Sequence, residues 1–539
     1  MHHKKIFDGW RISTISIAFF VIVPLSVVLL SFLHPTRDIW QHLIENVLAG
    51  LLVNTFWLIV GVLTVTLILG VSLAWLTAVC EFPGRRIFSW SLLIPLAIPT
   101  YVFAFVSLGL FDYTGPIQTQ FRAWFGPEFS WFPNIRSTGG VVMVMSLALY
   151  PYVYLLARNA FLTQGKQAME VAQSLGYSRV SGFFRVTLPL ARPWIVGGAM
   201  LVVMEALADF GAVSIFNYNT FTTAIYKAWF GLFSLAAAAQ LASILVVIVF
   251  VIILIEQRMR SRMLFTQTGS HSMEVNRILL KGFPRWFAFC YASLVMVVAF
   301  IIPIAQLLLW SSGIFNQEFD RRYLGFLSHS LLLGMMGALV ICIGALILSY
   351  SSRRHPDRLT QSFVRIATLG YALPGTVLAV GIFIPIASLD NAIIYLLGTL
   401  SNREIAPFLQ GTLFVMIAAY SVRFMSPAFF SVNSAMHRVK QSLDDASRVM
   451  GLRGVVLMYR VYLPLLKGGI LTAATLVFVD IMKEMPITLM TRPFGWDTLA
   501  VKIFELTSEG EWERASLPAI VLVLIGFLPI IFLTRHGEK

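Results

Sequence analysis

The sequence predicts an all-α polytopic membrane protein of about twelve transmembrane helices, arranged as two parallel six-helix repeats. Three observations carry that prediction. Of 539 residues, 58% are hydrophobic and 12% charged, with a mean hydropathy of +0.80, far from the balance of a soluble domain. Apolar stretches long enough to cross roughly 30 Å of hydrocarbon recur near 12–32, 52–79, 88–111, 140–161, 194–217, 233–255, 287–310, 328–350, 366–389, 406–430, 468–491 and 517–534. A single offset of 275 residues, the distance from Gly176 to Gly451, relates one half of the chain to the other.

The apolar runs are expected to be helices. Open sheet edges would leave backbone groups unpaired in lipid, and the runs exceed the roughly ten residues of a barrel strand. The first of them, preceded by "MHHKK" and Arg11, reads as an uncleaved signal anchor. In the third span of each half, Pro95, Pro99 and Pro374 together with Gly375 and Gly381 are expected to bend or locally unwind the helix.

Charge orients the spans. With the N terminus in the cytoplasm, segments 1–11, 80–87, 158–193, 256–286, 351–365, 431–467 and 535–539 face inward, and they hold 28 of the 40 Lys and Arg residues against 9 of the 26 acids. This positive-inside asymmetry places both termini in the cytoplasm. It also accounts for the formal net charge of +14 without any nucleic acid. Cys80, Cys290 and Cys342 have no paired spacing, which argues against a disulfide framework or a thiolate metal site.

The 275-residue offset pairs Pro99 with Pro374, Glu170 with Asp445, Ala172 with Ser447, Arg185 with Arg460, Leu188 with Leu463, Pro189 with Pro464, Glu205 with Asp480, Asp209 with Glu484 and Lys227 with Lys502. The domain reading follows: a first repeat over 1–255 with a polar loop at 158–193, a basic linker at 256–286, and a second repeat over 287–539 with its loop at 431–467. Six spans per half means that both copies enter the membrane in the same sense.

Each loop is a polar segment between apolar runs: "EVAQSLGYSRVSGFFRVTLPL" at 170–190 and "DASRVMGLRGVVLMYRVYLPL" at 445–465. A helix is expected up to Gly176, which permits a turn that a β-carbon resists, and a second amphipathic piece runs to Leu188 before Pro189 stops or bends the chain. Two such devices imply a partner with two similar subunits or domains. Intramembrane acids form the other marked set, because they are costly unless paired or facing water. Glu205 and Asp209 are four residues apart, as are Asp480 and Glu484, so one helix would present each pair on one face. If the faces meet, they line a path for a hard cation. With Lys483 and Arg492 nearby in sequence, bracing of a gate by ion pairs is the preferred reading, and no metal ligand is assigned.

The loop pattern E-V-A-x-x-x-G, nine residues, then V-x-L-P, repeated as D-A-S-x-x-x-G with the same gap, resembles the cytoplasmic "EAA" loop of permease subunits in binding-protein-dependent ABC importers. Beyond the loops, "EALADFGAVSIFNYNTFTTAIYKAW" (205–229) and "DIMKEMPITLMTRPFGWDTLAVKIFEL" (480–506) are similar to the fused ferric iron permeases of that superfamily. The resemblance implies coupling helices that engage two copies of a cytoplasmic ABC ATPase subunit through Glu170, Ala172, Gly176, Leu188 and Pro189 and through Asp445, Ser447, Gly451, Leu463 and Pro464. It further implies a periplasmic substrate-binding protein and ferric iron or a small complex as cargo across the bacterial inner membrane. Val171 replaces the motif's first alanine, and Asp445 and Ser447 depart further, so the two loops need not grip equally. No G-x-x-x-x-G-K-[ST] phosphate loop occurs. No catalytic residue and no cofactor are therefore expected of the chain itself. Thiamine, phosphonate or polyamine uptake by the same architecture stays open, as does a secondary carrier, against which the paired loops speak.

Overall fold

A computed structural model describes residues 8–33, 37–126, 133–261, 277–401, 406–452 and 454–537. The described chain is helical apart from a parallel pairing of Cys80–Glu81 with Ile278–Leu279. Eleven helices are long and apolar enough to cross a membrane, and a bent pair makes a twelfth. In chain order the spans are 1, Gly9–Leu33; 2, Ile39–Val79; 3, Arg85–Ala97 with Thr100–Phe125, bent by 91°; 4, Thr138–Thr163; 5, Arg179–Ala208; and 6, Leu235–Met259. The second half supplies 7, Phe283–Phe315; 8, Arg321–Arg354; 9, Gly375–Leu400; 10, Leu413–Arg438; 11, Gly454–Lys483; and 12, Trp512–Pro529.

The breaks follow from proline chemistry. Pro99 directly precedes the second arm of span 3, and Pro374 holds the corresponding place before span 9, where the helix Arg358–Ala367 and a 3-10 turn at Leu369–Ala372 come first. A proline cannot donate to the preceding turn, and it pushes the residue before it out of the helical region. Ile98 and Leu373 are accordingly extended. Gly381, in contrast, unwinds nothing. It lies inside span 9, where a β-carbon would come within 3.0 Å of the Pro24 carbonyl and of Val28 on span 1, so its role is close helix approach.

Two further expectations are corrected. Pro189 and Pro464 do not stop the chain: spans 5 and 11 run through π turns at Phe183–Thr187 and Met458–Tyr462, and the wider turn accommodates the ring in the first turn beyond it. These spans also end earlier than hydropathy implies. Span 5 stops at Ala208 and span 11 at Lys483, with Asp209 and Glu484 in extended backbone (ψ 127° and 115°). Asp209 and Glu484 therefore stand at the C-caps, one residue beyond the helices that carry Glu205 and Asp480.

The two halves interlock. Span 1 crosses the second half, packing on spans 8 and 9 and on the Arg358–Ala367 helix, and Arg11 pairs with Asp357 at 2.6 Å. Span 7 crosses the first half in return: Ala288, Ala292, Val295 and Ala299 join an apolar cluster with Leu73, Phe82 and Tyr150, and the Tyr291 and Ser72 hydroxyls lie 2.8 Å apart. Spans 4 and 10 are the most enclosed, each 61% buried over its apolar window. The described cysteines are unpaired.

Gly381→Leu should force span 1 off span 9. Overpacking of this kind costs about 1–3 kcal/mol, so the thermal midpoint of the purified chain should fall; an unchanged midpoint would mean that the contact carries no stability.

Candidate functional site

Span 4 leads into the helix Lys166–Ser174, and span 10 into Gln441–Val449. Both helices close in the same way. The Tyr177 N–H donates to Ala172 O at 3.0 Å and the Gly176 N–H to Gln173 O at 2.9 Å; in the second copy the Leu452 N–H donates to Ser447 O at 3.0 Å. This six-to-one bond needs a left-handed residue one place earlier, and Gly176 (φ +84°) and Gly451 (φ +77°) supply it. Nothing lies within 4 Å of a β-carbon built on either glycine, so the requirement is conformational and not steric. Ala172 and Ser447 are buried, while Glu170 and Asp445 are exposed. Leu188 with Pro189, and Leu463 with Pro464, begin the regular part of spans 5 and 11 after the π turns.

Three positions that the sequence reading passed over now stand out. Leu175, Val180 and Phe184 in the first loop, and Met450, Val455 and Tyr459 at the same offset in the second, are 62–71% exposed. Matched apolar side chains left bare on a polar segment mark an interaction surface. The loops are fastened differently. In the second, Asp444 pairs with Arg353 at 3.0 Å and accepts the Tyr462 hydroxyl; at the matching place in the first, Met169 is buried among apolar neighbours.

The four intramembrane acids converge on one cavity of about 350 Å³ between the halves, lined by Glu205, Asp209, Asp480 and Glu484 and also by Tyr371 and Arg423. Each inner acid caps the short helix that follows it. Asp209 accepts from the Ala212 and Val213 N–H groups at 2.9 and 3.3 Å and from the Thr100 hydroxyl at 2.5 Å. Glu484 accepts from the Ile487 N–H at 3.1 Å and faces the Arg423 guanidinium at 3.5 Å. Glu205 reaches across the halves to accept the Tyr371 hydroxyl at 3.2 Å, and Lys483 crosses back, donating to Leu96 O at 3.1 Å. Asp480 lines the cavity without a hydrogen bond to any described residue. Arg492 lies with Asp497 and Glu505, at 3.0 and 2.6 Å, and is not among the cavity's lining residues. Among the described residues, no three His, Cys, Asp or Glu side chains gather closely enough to hold a metal ion.

The acids are twofold related; their partners are not. At the 275-residue offset Arg423 replaces Ala148, Tyr371 replaces Leu96 and Lys483 replaces Ala208, and all six line the cavity. Gly375 stands where the first half has Thr100. A β-carbon there would lie 2.5 Å from Arg423 Nη1 and 2.6 Å from Glu484 Oε1. One half therefore fixes its inner acid with a hydroxyl, and the other clears space for a guanidinium.

The family model for the binding-protein-dependent transport system inner membrane component matches the chain twice, over residues 66–263 and 340–537. The chain is 26% identical over 513 residues to an Fe(3+)-transport system permease protein of Haemophilus influenzae, covering 94% of this chain and 93% of that protein. It is 31% identical over 150 residues to a molybdenum transport system permease protein of Escherichia coli, covering 28% and 63%. A sulfate transport system permease protein of Escherichia coli matches at 30% over 207 residues, covering 37% and 66%.

Gly375→Ala should displace Arg423 from Glu484 and leave buried charge uncompensated, at a cost of about 3 kcal/mol. The thermal midpoint of the purified chain should drop, whereas Thr100→Ser, which keeps the hydroxyl on Asp209, should leave it nearly unchanged.

Proposed function

The chain belongs to the family of binding-protein-dependent transport system inner membrane components, and from that premise we propose that the cargo it passes is ferric iron, as the ion or a small complex. Membership makes it the permease of an ABC importer, a multi-pass, non-enzymatic subunit whose translocation is coupled to a cognate ATPase and supplied by a periplasmic binding protein. A secondary carrier is thereby set aside. One observation carries the iron reading: of the relatives named, the Fe(3+)-transport permease is matched along 94% of this chain, through both halves, against 28% and 37% for the molybdenum and sulfate permeases. An acid-rich cavity suits a hard cation better than thiolates would.

In this reading the basic segments, both termini and both loops face the cytoplasm, and repeats 1–255 and 287–539 are joined through the linker 256–286. Each of two ATPase subunits takes one loop, seating Leu175, Val180 and Phe184 in one groove and Met450, Val455 and Tyr459 in the other, with Glu170 and Asp445 at the rim. The glycine closures at Gly176 and Gly451 set the angle between the docked helix and the span that follows. Span 5 is 30 residues long, roughly 45 Å of continuous helix, with the loop at one end and Glu205 and Asp209 at the other; span 11 repeats the arrangement. A displacement of the loop on ATP binding thus moves the acids along the same rigid rod. The acids act as a brace: Tyr371 on Glu205, together with Lys483 on Leu96 O, ties the halves to each other, while Thr100 on Asp209 and Arg423 on Glu484 fix each inner acid within its own half, and parting the crossing contacts opens the path. Held this way, they would let the substrate leave, where tight chelation would trap it.

Gly176→Val or Gly451→Val should strain the turn by about 1–2 kcal/mol and uncouple uptake while leaving membrane insertion intact; normal substrate-stimulated ATP hydrolysis and uptake would refute the coupling role. The cargo is tested in proteoliposomes holding the chain, its ATPase and its binding protein, offered ferric iron, molybdate, sulfate or thiamine. Saturable iron uptake that needs all three components is the expected result. Uptake of another substrate without iron would keep the permease and overturn the cargo.

A further inference from the structure

At the loop end of the first half, two arginines share one carboxylate, and two more arginines add their charge to one of that pair. Arg85, which is buried, pairs with Glu81 at 2.9 Å and donates to Thr77 O at 3.3 Å. Arg277 arrives from the linker because Ile278–Leu279 pairs with Cys80–Glu81; its guanidinium lies 3.9 Å from the same Glu81 oxygen. Arg158, near the end of span 4, and Arg86 complete the set. The cluster is short of negative charge. Arg158 makes no hydrogen bond or ion pair with any described residue, and the Nε atoms of Arg158 and Arg277 are both buried without an acceptor. Burial, together with the charges of Arg85, Arg158 and Arg86, pushes the Arg277 pKa down against the opposing pull of Glu81. Unmet guanidinium donors at this density are costly unless an anion supplies the acceptors.

The surroundings indicate which anion. The cluster lies at the ends of spans 2, 3 and 4, and apolar side chains stand bare beside it: Ile87 and Trp90 at the start of span 3, and Phe283, Trp286 and Phe287 at the start of span 7. The two sets adjoin, since the Phe88 and Phe289 rings are 5.8 Å apart. Exposed aromatics at span ends are interface anchors, so charged donors and acyl-compatible surface occur together. We propose that Arg158 and Arg277, backed by Arg85 and Arg86, form a binding site for the phosphate of an anionic phospholipid headgroup, whose acyl chains lie along the exposed faces of spans 3 and 7. A free phosphate would satisfy the same donors but would leave those faces unused. The site also ties the linker to the first half, where the two-residue strand pairing alone holds little.

The test uses the full-length purified chain in uncharged detergent, titrated calorimetrically with short-chain phosphatidylglycerol, short-chain phosphatidylcholine or inorganic phosphate. Saturable phosphatidylglycerol binding that weakens as salt rises is expected, falling about fivefold in Arg158→Gln and about twentyfold in Arg158→Gln/Arg277→Gln. Because Arg158 touches no acceptor among the described residues, the single variant decides the matter if the double variant does not fold. Undiminished binding in Arg158→Gln, equal binding of phosphatidylcholine, or inorganic phosphate binding as tightly as the lipid would each overturn the assignment.

Discussion

A helix that ends inside a membrane bundle leaves backbone groups with no water to satisfy them, and the centre of this protein is organised by the way that constraint is met. Spans 5 and 11 both end there, each followed by another short helix. Asp209 and Glu484 stand at the junctions and accept from the next helix's N–H groups. The same carboxylates line the central cavity. Capping and cavity lining thus fall to the same two carboxylates, one oxygen of each taking the backbone N–H and the other facing Thr100 or Arg423.

Duplication gave the cavity matching acids, and divergence gave it a polarity. The cationic groups, Arg423 and Lys483, come from the second half, as does Tyr371, while the Tyr101 and Tyr152 phenols come from the first; two of the second half's contacts, Tyr371 to Glu205 and Lys483 to Leu96, cross to the first. The loops diverge in the same direction: an ion pair fastens the second where apolar packing holds the first. The chain is symmetric in backbone and lopsided in charge.

What could be read from the sequence, and what could not, follows from this division. Hydropathy located the spans and the repeat offset located the loops and acids, because both signals are local or repeated. Arg423 and Tyr371 escaped since their counterparts are Ala148 and Leu96; a search for what two halves share is blind to what only one possesses. The helix ends escaped for another reason. Two acids four apart look alike whether the helix continues or stops, and the hydroxyl that holds Asp209 just past the stop at Ala208 comes from Thr100, 109 residues away in sequence. The crossing of spans 1 and 7 left no trace in hydropathy, which records that a helix is apolar but not which neighbour it meets.

That crossing has a consequence for the chain as it is made. Arg11 must find Asp357, 346 residues later, and Pro24 must meet Gly381. At ribosomal rates of about 5–20 residues per second, span 1 sits in the bilayer for roughly 17–70 s before its contact surface has been synthesised. Throughout that interval the face destined for span 9 is open to lipid and to every other nascent helix nearby. Spans 2, 4 and 5 can pack on one another as soon as they are made, but span 1, the first helix synthesised, is among the last to reach its final neighbours.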